Sequence, residues 1–435
     1  MGQWQKFFPI LDWGKSYSKT VFSNDMIAAI IVTIMLIPQS LAYAMIAGLP
    51  AQVGLYASIL PLVAYAVFGT SRALAVGPVA VASLMTASAL GNLGQMSMEQ
   101  YIAGAIILAF ISGLVLIVMG ILKLGVLANY LSHPVISGFI TASGILIAIN
   151  QLKPLLGLSF DSAGLIATIY LILANIDDIN IATMVIGLMS LGFLYSVKLL
   201  LPAILRKMNL SRVLAGLIIK SGPMIGVVFA IAGVWKFGLA EYGVAIVGQI
   251  PDGLPPFGLP DFDLNLMEAL LVPAILISIV GFVESISVGQ TLAAKRRQRI
   301  DPDQELIGLG AANMASSFSG GYPVTGGFAR SVVNFDAGAE TPAAGAFAAI
   351  GILLAAMFLT PALYYLPRAT LAATIIVAVL GLVDFKSIVS IFRYSKADFT
   401  AMMFTIILTL VESVEVGIVA GVVSSIVLHL YRSSR

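Results

Sequence analysis

The sequence predicts an all-α membrane protein of about fourteen transmembrane segments, in two halves of about seven, with the second half inverted. The first ground is composition: 59% of the 435 residues are hydrophobic and 10% are charged, with a mean hydropathy of +1.02. An ordinary soluble domain carries about 25% charge. The second is length. Apolar runs near 20 residues recur from residue 25 to the end, each able to cross about 30 Å of hydrocarbon as a helix. The alternating strands of about ten residues that a membrane barrel needs do not occur. The third is a pair of interruptions: AVGPVAVASLM (75–85) and GGYPVTGGFARSVVN (320–334) each break an apolar run with small residues around a Pro-Val step. Short Gly- and Pro-interrupted segments at matching positions of two halves point to a binding site built from broken helices.

Residues 1–24, with Trp4, Phe7, Phe8, Trp13, Lys15, Tyr17 and Lys19, read as a cytoplasmic interfacial segment whose aromatic rings sit at the headgroup level. They hold no apolar core followed by a cleavage site, so no signal peptide is predicted. Lys6 stands where a myristoylation motif needs Ser or Thr. The first half covers 25–237, with spans at about 25–47, 52–69, 77–93, 100–122, 126–150, 179–201 and 212–237. A polar connection (238–265), Pro-rich in VGQIPDGLPPFGLPDFDLN at 247–265, is expected outside the cytoplasm. The second half covers 266–432, with spans near 266–294, 303–318, 324–337, 340–363, 367–382, 397–411 and 414–431. The turns LPAQVGLYA (49–57) and DPDQELIGL (301–309) share Pro-x-Gln before an aliphatic helix, which supports duplication.

An odd number of spans per half leaves the chain on the opposite side, so the second half enters inverted. The charges agree. With the N-terminus inside, about nineteen of the 23 basic residues fall on the cytoplasmic side, among them Arg72, Lys123, the AKRRQR run at 294–299 and Arg435. Lys153, Lys236 and Arg368 fall outside, beside Asp161, Asp177, Asp178, Asp252, Asp261 and Asp263. The positive-inside rule expects this split, and both termini are then cytoplasmic. The expected location is the plasma (bacterial inner) membrane.

Several classes drop out. The net charge of +2 is spread over short loops, so no nucleic-acid partner is expected. Zero cysteines exclude a disulfide framework and a thiol site. Two histidines, His133 and His429, are too few and too separated for a His-based metal site. No nucleophile and histidine base pair up near either broken helix, so an intramembrane enzyme lacks support, and no cofactor is implied.

The candidate site centres on Arg330. A guanidinium at bilayer depth costs about 2.5 to 3.5 kcal/mol even on the mild insertion scale, so its first reading is functional; the alternative is a side chain snorkelling from the end of a short helix. Pro323 is predicted to open that helix, its missing N–H being one that a first turn leaves unused. Gly326 and Gly327 then leave the backbone bare, and the free N–H groups and helix dipole favour an anion there. Pro78 and Val79 are the counterparts in the first half. Gln39 and Tyr43 are four apart in LIPQSLAYAMIAG and share a face, offering an amide and a phenol to one cavity; the alternative is a Pro38 kink with polar neighbours resatisfying freed backbone groups. Glu284, deep in GFVESISVGQTLA, is a candidate to take up and release protons. Its alternatives are a helix-end glutamate in a water-filled vestibule or a structural partner for Arg330. Ser83, Thr86, Ser88, Ser285 and Ser287 are read as helix-packing hydroxyls with no role.

PAQVGLYASILPLVAYAVFGTSR (50–72) resembles the signature of the SulP sulfate permease family, anion transporters that include the plant sulfate transporters, pendrin and prestin. The pattern continues in LIPQSLAYAMIAGLP (36–50), AVGPVAVASL (75–84), YLSHPVISGF (130–139), GFVESISVGQTLA (281–293), RIDPDQELIGLGAAN (299–313), GGYPVTGGFARSVVN (320–334) and VEVGIVAGVVSS (414–425). The resemblance implies a uracil permease-like fold of fourteen helices in a seven-plus-seven inverted repeat, with core and gate domains that move as an elevator. It also implies a homodimer. It places the anion between the starts of the third and tenth helices, here Gly77, Val79 and Ala80 and Gly326, Gly327, Phe328, Ala329 and Arg330, with Gln39 and Tyr43 contributed by the first helix. The eighth-helix carboxylate, here Glu284, couples transport to a cation. Sodium-coupled relatives place Asp there with a hydroxyl one turn later, where this chain has Glu284 and Val288, which favours protons. Val53 stands where an aromatic is frequent, and Ala329 where Ser is common, leaving more of the binding to backbone N–H groups. A cytosolic STAS domain usually follows in the family; here HLYRSSR directly follows the last span. The expected function is secondary active transport of a small inorganic anion, with proton-coupled sulfate uptake favoured. Bicarbonate, a dicarboxylate, chloride exchange, or an anion channel or motor are the alternatives.

Overall fold

The computed structural model describes residues 7–129, 133–160, 164–208, 212–249, 255–260 and 262–433. Trp4 in the interfacial segment, and Asp161, Asp252, Asp261 and Arg435 among the charges used to assign sides, lie outside the described residues, as do 250–254 of the connection. In chain order the main elements are α1 (Lys19–Ile46), α2 (Ala51–Tyr56), α3 (Leu60–Phe68), β1 (Val76–Gly77), α4 (Ala80–Gly91), α5 (Met98–Ile121), α6 (His133–Asn150), α7 (Leu152–Leu156), α8 (Leu165–Ala174), α9 (Ile181–Leu199) and α10 (Leu201–Lys207). There follow α11 (Arg212–Lys220), α12 (Gly222–Phe237), α13 (Leu264–Lys295), α14 (Pro302–Phe318), β2 (Thr325–Gly326), α15 (Phe328–Asp336), α16 (Ala343–Phe358), α17 (Arg368–Leu380), α18 (Phe385–Tyr394), α19 (Lys396–Val411) and α20 (Val414–Ser433).

Helices cover most of each span predicted from the sequence, but 324–327 of the span at 324–337 are extended rather than helical, and 130–132 of the span at 126–150 lie outside the described residues. Among the described residues, seven helical stretches are long and apolar enough to cross a membrane, including Lys19–Ile46, Met98–Ile121 and Leu264–Lys295. Helices α8 and α18 were not expected. At ten residues each they are too short to match a spanning template, and α18 (FKSIVSIFRY) is amphipathic, with Phe385 and Tyr394 exposed.

The chain forms two compact units, and each draws on both halves of the sequence: residues 1–128 with 251–360, and 129–250 with 361–435. The second unit packs α19 against α6 and α20, and α9 against α17 and α12. A buried Ser190–Thr370 hydroxyl pair at 3.0 Å joins α9 to α17.

The first unit carries the candidate site. Its helices start where short polar side chains cap them: Ser18 accepts from the Val21 N–H, Asp263 from Asn265 and Leu266, and Asp301 from Asp303 and Gln304. Ser97 and Gln100 form a reciprocal capping box at the head of α5. Such caps satisfy donors that a helix start leaves open. Helix α14 lies against α5 and α3, α13 against α5, and α16 against α1. Gly113 and Gly310 let α5 and α14 approach closely, since a methyl group on Gly310 would sit 2.8 Å from the Gly113 carbonyl oxygen. Small residues at such crossings are how membrane helices gain packing energy without a hydrophobic drive between them.

Asp25, fully buried in α1, fastens the N-terminal segment to the head of α16. It accepts hydrogen bonds from Glu340 N at 2.7 Å, Thr341 N at 3.1 Å, Thr341 Oγ1 at 2.5 Å and the Tyr17 hydroxyl at 3.2 Å. Burial and the neighbouring Asp25 push the Tyr17 phenol up to about 12, so it remains a donor at physiological pH. Asp25→Ala would strand the Glu340 and Thr341 N–H donors and the Thr341 and Tyr17 hydroxyls. We expect a loss of about 2 to 4 kcal/mol, read as a lower thermal unfolding midpoint in detergent, while Asn24→Ala, next in sequence, costs much less.

Candidate anion site

The site forms where the two interrupted segments meet. β1 and β2 pair antiparallel, Val76 opposite Gly326 and Gly77 opposite Thr325. The Gly327 N–H donates to the Ala75 carbonyl at 3.1 Å, and the Ala75 N–H to Ser331 Oγ at 2.9 Å. Asn334 Nδ2 donates to the Ala73 carbonyl at 3.1 Å. From this two-residue ribbon the chain runs directly into α4 on one side and α15 on the other. The helix of the second half therefore does not begin at Pro323, as the sequence predicts; it begins at Phe328. The reason lies in the partners of the intervening residues. Asn313 holds both the N–H and the carbonyl of Val324, at 2.9 and 2.8 Å, and Ser285 Oγ accepts from the Gly326 N–H at 2.9 Å. These bonds and the β pairing favour extended backbone over a helical turn from Pro323 to Gly327.

Helix α13 supports this arrangement, packing against α4, β2 and α15. Ser285 and Thr325 hydroxyls share a hydrogen bond at 2.6 Å, and each lies 2.6 Å from the Gly281 carbonyl, which accepts from the one whose proton is not used between them. On the other side Ser83 Oγ meets the Tyr322 hydroxyl at 3.0 Å, and Ser316 Oγ donates to the Tyr322 carbonyl at 2.7 Å. Ser83 and Ser285, given no role from the sequence, thus tie the broken segments to their surroundings. The signal that marks Ser285, Thr325 and Asn313 is their position: polar groups buried beside a bare glycine pair in an apolar region must find partners, and the unpaired backbone there is the nearest source.

Neither helix start carries a side-chain cap: the residue before α4 is Val79, and the residue before α15 is Gly327. The N–H groups of residues 80–82 and 328–330 are thus left by their own helices as donors for something else. Arg330 is 2% exposed, in the first turn of α15. Its guanidinium lies against both glycines, for a methyl group on Gly327 would sit 3.0 Å from Nη2 and one on Gly77 3.1 Å from Nη1. Nη1 and Nη2 are buried and have no hydrogen-bond partner. Tyr43, Tyr322 and Glu284 are all within its electrostatic reach.

The remaining residues expected at the site lie on β1, β2, α1, α4, α13 and α15, or directly before α4 and α15. Val79, Ala80, Gly77, Gly326 and Gly327 are buried, and Phe328 and Ala329 are exposed. Gln39 and Tyr43 lie on α1, which packs against α4 and α15. Gln39 Oε1 is buried without a partner; turning the carboxamide over puts two N–H donors in its place. Glu284, 8% exposed, is the residue before Ser285, so its backbone is held in register with β2.

Gly77 has φ +150°, a region that side chains rarely adopt, and a methyl group there would crowd Nη1. Gly77→Ala is expected to displace the guanidinium and weaken anion binding at least tenfold while the protein still folds, as measured by an anion-dependent shift in thermal unfolding.

A helical membrane protein with two uncapped helix starts beside a buried, unpartnered arginine has the anatomy of a permease rather than of an enzyme. The chain belongs to the sulfate permease family, whose model matches residues 22–405. It is 37% identical over 429 residues to "Sulfate transporter 4.1, chloroplastic" of Arabidopsis thaliana, covering 98% of this chain and 61% of that protein. It is 33% identical to the "Sodium-independent sulfate anion transporter" of Bos taurus, covering 99% of this chain and 73% of the relative. The chain thus spans about three fifths of the Arabidopsis relative's length. Its fold is similar to that of the murine Solute Carrier 26 family member A9 anion transporter in the inward-facing state, with a TM-score of 0.89, 26% identity, and coverage of 98% and 71%. The transmembrane domain of a cyanobacterial bicarbonate transporter, at TM-score 0.77 and 20% identity, covers 94% of this chain and 98% of that one and shares the fold. The resemblance carried by the motifs and the all-α membrane fold are borne out.

Proposed function

We propose that this chain is a secondary active transporter of a small oxyanion, working as a proton-coupled sulfate importer. One observation carries the reading: the two terminal nitrogens of Arg330 are buried, unpartnered, and set between two helix starts whose N–H groups are open. A buried guanidinium without an acceptor is costly, and a bound tetrahedral oxyanion supplies acceptors to Arg330 and to both helix starts at once. Gln39 and Tyr43 close the site from α1. The names of the plant and bovine relatives support sulfate, and the "sodium-independent" of the latter speaks against sodium as the coupling ion.

Glu284 is the proton carrier in this scheme. It lies near enough to Arg330 for the two charges to feel each other, so a proton on Glu284 and an anion on Arg330 change together. The antiparallel meeting of β1 with β2 supports an inverted duplication with halves at 25–237 and 266–432. In this scheme the site-bearing unit is the core, which moves as an elevator against a gate, and two copies form a homodimer in the plasma membrane with both termini cytoplasmic. Labelled sulfate uptake into proteoliposomes tests the proposal. An inward proton gradient should raise the initial rate, and flux indifferent to the gradient would remove the symport claim.

A further inference from the structure

A cavity of about 540 Å³, lined by two arginines, lies beside the loop joining α13 to α14, and nothing in the transport scheme uses it. Arg72, Arg299, Trp13 and Thr70 line it, with Asp12 and Asp301. Among the described residues neither Arg72 nor Arg299 has a hydrogen-bond or ion-pair partner. Two guanidinium groups bordering one cavity, Arg72 half-buried and Arg299 exposed, therefore lack an acceptor within the protein. The acidic residues do not meet that need: Asp301 Oδ1 is taken by the N–H groups of Asp303 and Gln304, at 3.0 and 3.3 Å, and Asp12 is exposed. The wall is rigid, because the Thr70 N–H and hydroxyl both donate to Glu305, itself 1% exposed and also held by the Tyr65 hydroxyl at 2.7 Å.

We propose that this cavity binds a phosphate-type oxyanion, a mono- or diester, gripped by the Arg72 and Arg299 guanidinium groups beside Trp13. Arginine forks match two oxygens of one phosphate. The volume suits a phosphate with a small substituent, and pockets of about 300 to 1,000 Å³ hold ligands of that class. Two arginines and two aspartates leave the lining formally neutral, so a singly charged diester is favoured over a more highly charged phosphate. The ligand joins the N-terminal segment to the α13–α14 loop and to the segment between α3 and β1. A lipid headgroup and a soluble phosphate share this chemistry. The inference does not depend on what Arg330 binds.

The test uses the full chain in neutral detergent, titrated with short-chain phosphatidylglycerol, phosphatidylcholine and inorganic phosphate, following tryptophan emission and thermal unfolding. The expected result is a saturable change with phosphatidylglycerol and none with phosphatidylcholine, and the emission change should vanish in Trp13→Phe. A response to phosphatidylglycerol alone assigns a lipid headgroup; an equal response to inorganic phosphate assigns the soluble ion. Arg72→Gln and Arg299→Gln should each weaken binding about tenfold. Arg72→Lys and Arg299→Lys should fall between, and they serve if a glutamine variant fails to fold. No response to phosphatidylglycerol or phosphate, an equal response to phosphatidylcholine, or undiminished binding in both arginine variants would overturn the assignment.

Discussion

Replacing Arg330 by alanine is expected to abolish anion binding and transport without loss of expression. Removing one partner of a buried charged contact typically costs about 2 to 5 kcal/mol, or about thirty- to several thousandfold in affinity. The protein should fold, because the guanidinium nitrogens Nη1 and Nη2 make no hydrogen bond that the fold needs. Removal of a buried, unpartnered cation even relieves the unliganded protein, so the variant should be at least as stable as the parent in the absence of anion. Arg330→Lys should recover part of the affinity, since it restores charge but not the flat fork that faces Gly77 and Gly327. Equilibrium binding of labelled sulfate, read beside thermal unfolding, checks both. Unaltered affinity in Arg330→Ala would discredit the site.

The second large effect is expected at Glu284. Glu284→Gln keeps size and hydrogen-bonding capacity but cannot exchange a proton, so sulfate binding should persist while stimulation by a proton gradient is lost. The two variants separate binding from coupling. Arg330→Ala should remove sulfate-dependent stabilisation altogether, and Glu284→Gln should keep it and flatten the response of uptake to the gradient. If Glu284→Gln proteoliposomes still accumulate sulfate against its concentration when a proton gradient is imposed, Glu284 is a structural partner for Arg330 and nothing more.

Much of this could be read from residues. The Pro78-Val79 and Pro323-Val324 steps announced two broken segments, because Pro and Gly interrupt an apolar run only where the backbone has another use. Arg330 declared itself by its cost in an apolar setting. What stayed hidden was the short ribbon between the breaks. Two residues of strand leave no periodicity to detect, and the preference for extended chain at 325–326 comes from Ser285 and Asn313, which lie 41 and 11 residues away in sequence from the backbone groups they bind. The start of α15 was misplaced for the same reason. Local rules favour a helix at Pro323, and long-range hydrogen bonds override them. The residues that make up each of the two compact units were not legible, since the division cuts across both halves of the sequence and depends on which helices pack; only the resemblance implied two domains.

The ribbon also has a meaning for biogenesis. Each half supplies one strand and one helix start, and neither can pair its peptide groups until the other has been made and inserted. A ribosome that stops before residue 326 leaves Val76 and Gly77 with nothing to zip against, so nascent intermediates should be silent rather than leaky. The pairing at the centre of the first unit is therefore completed only late in synthesis.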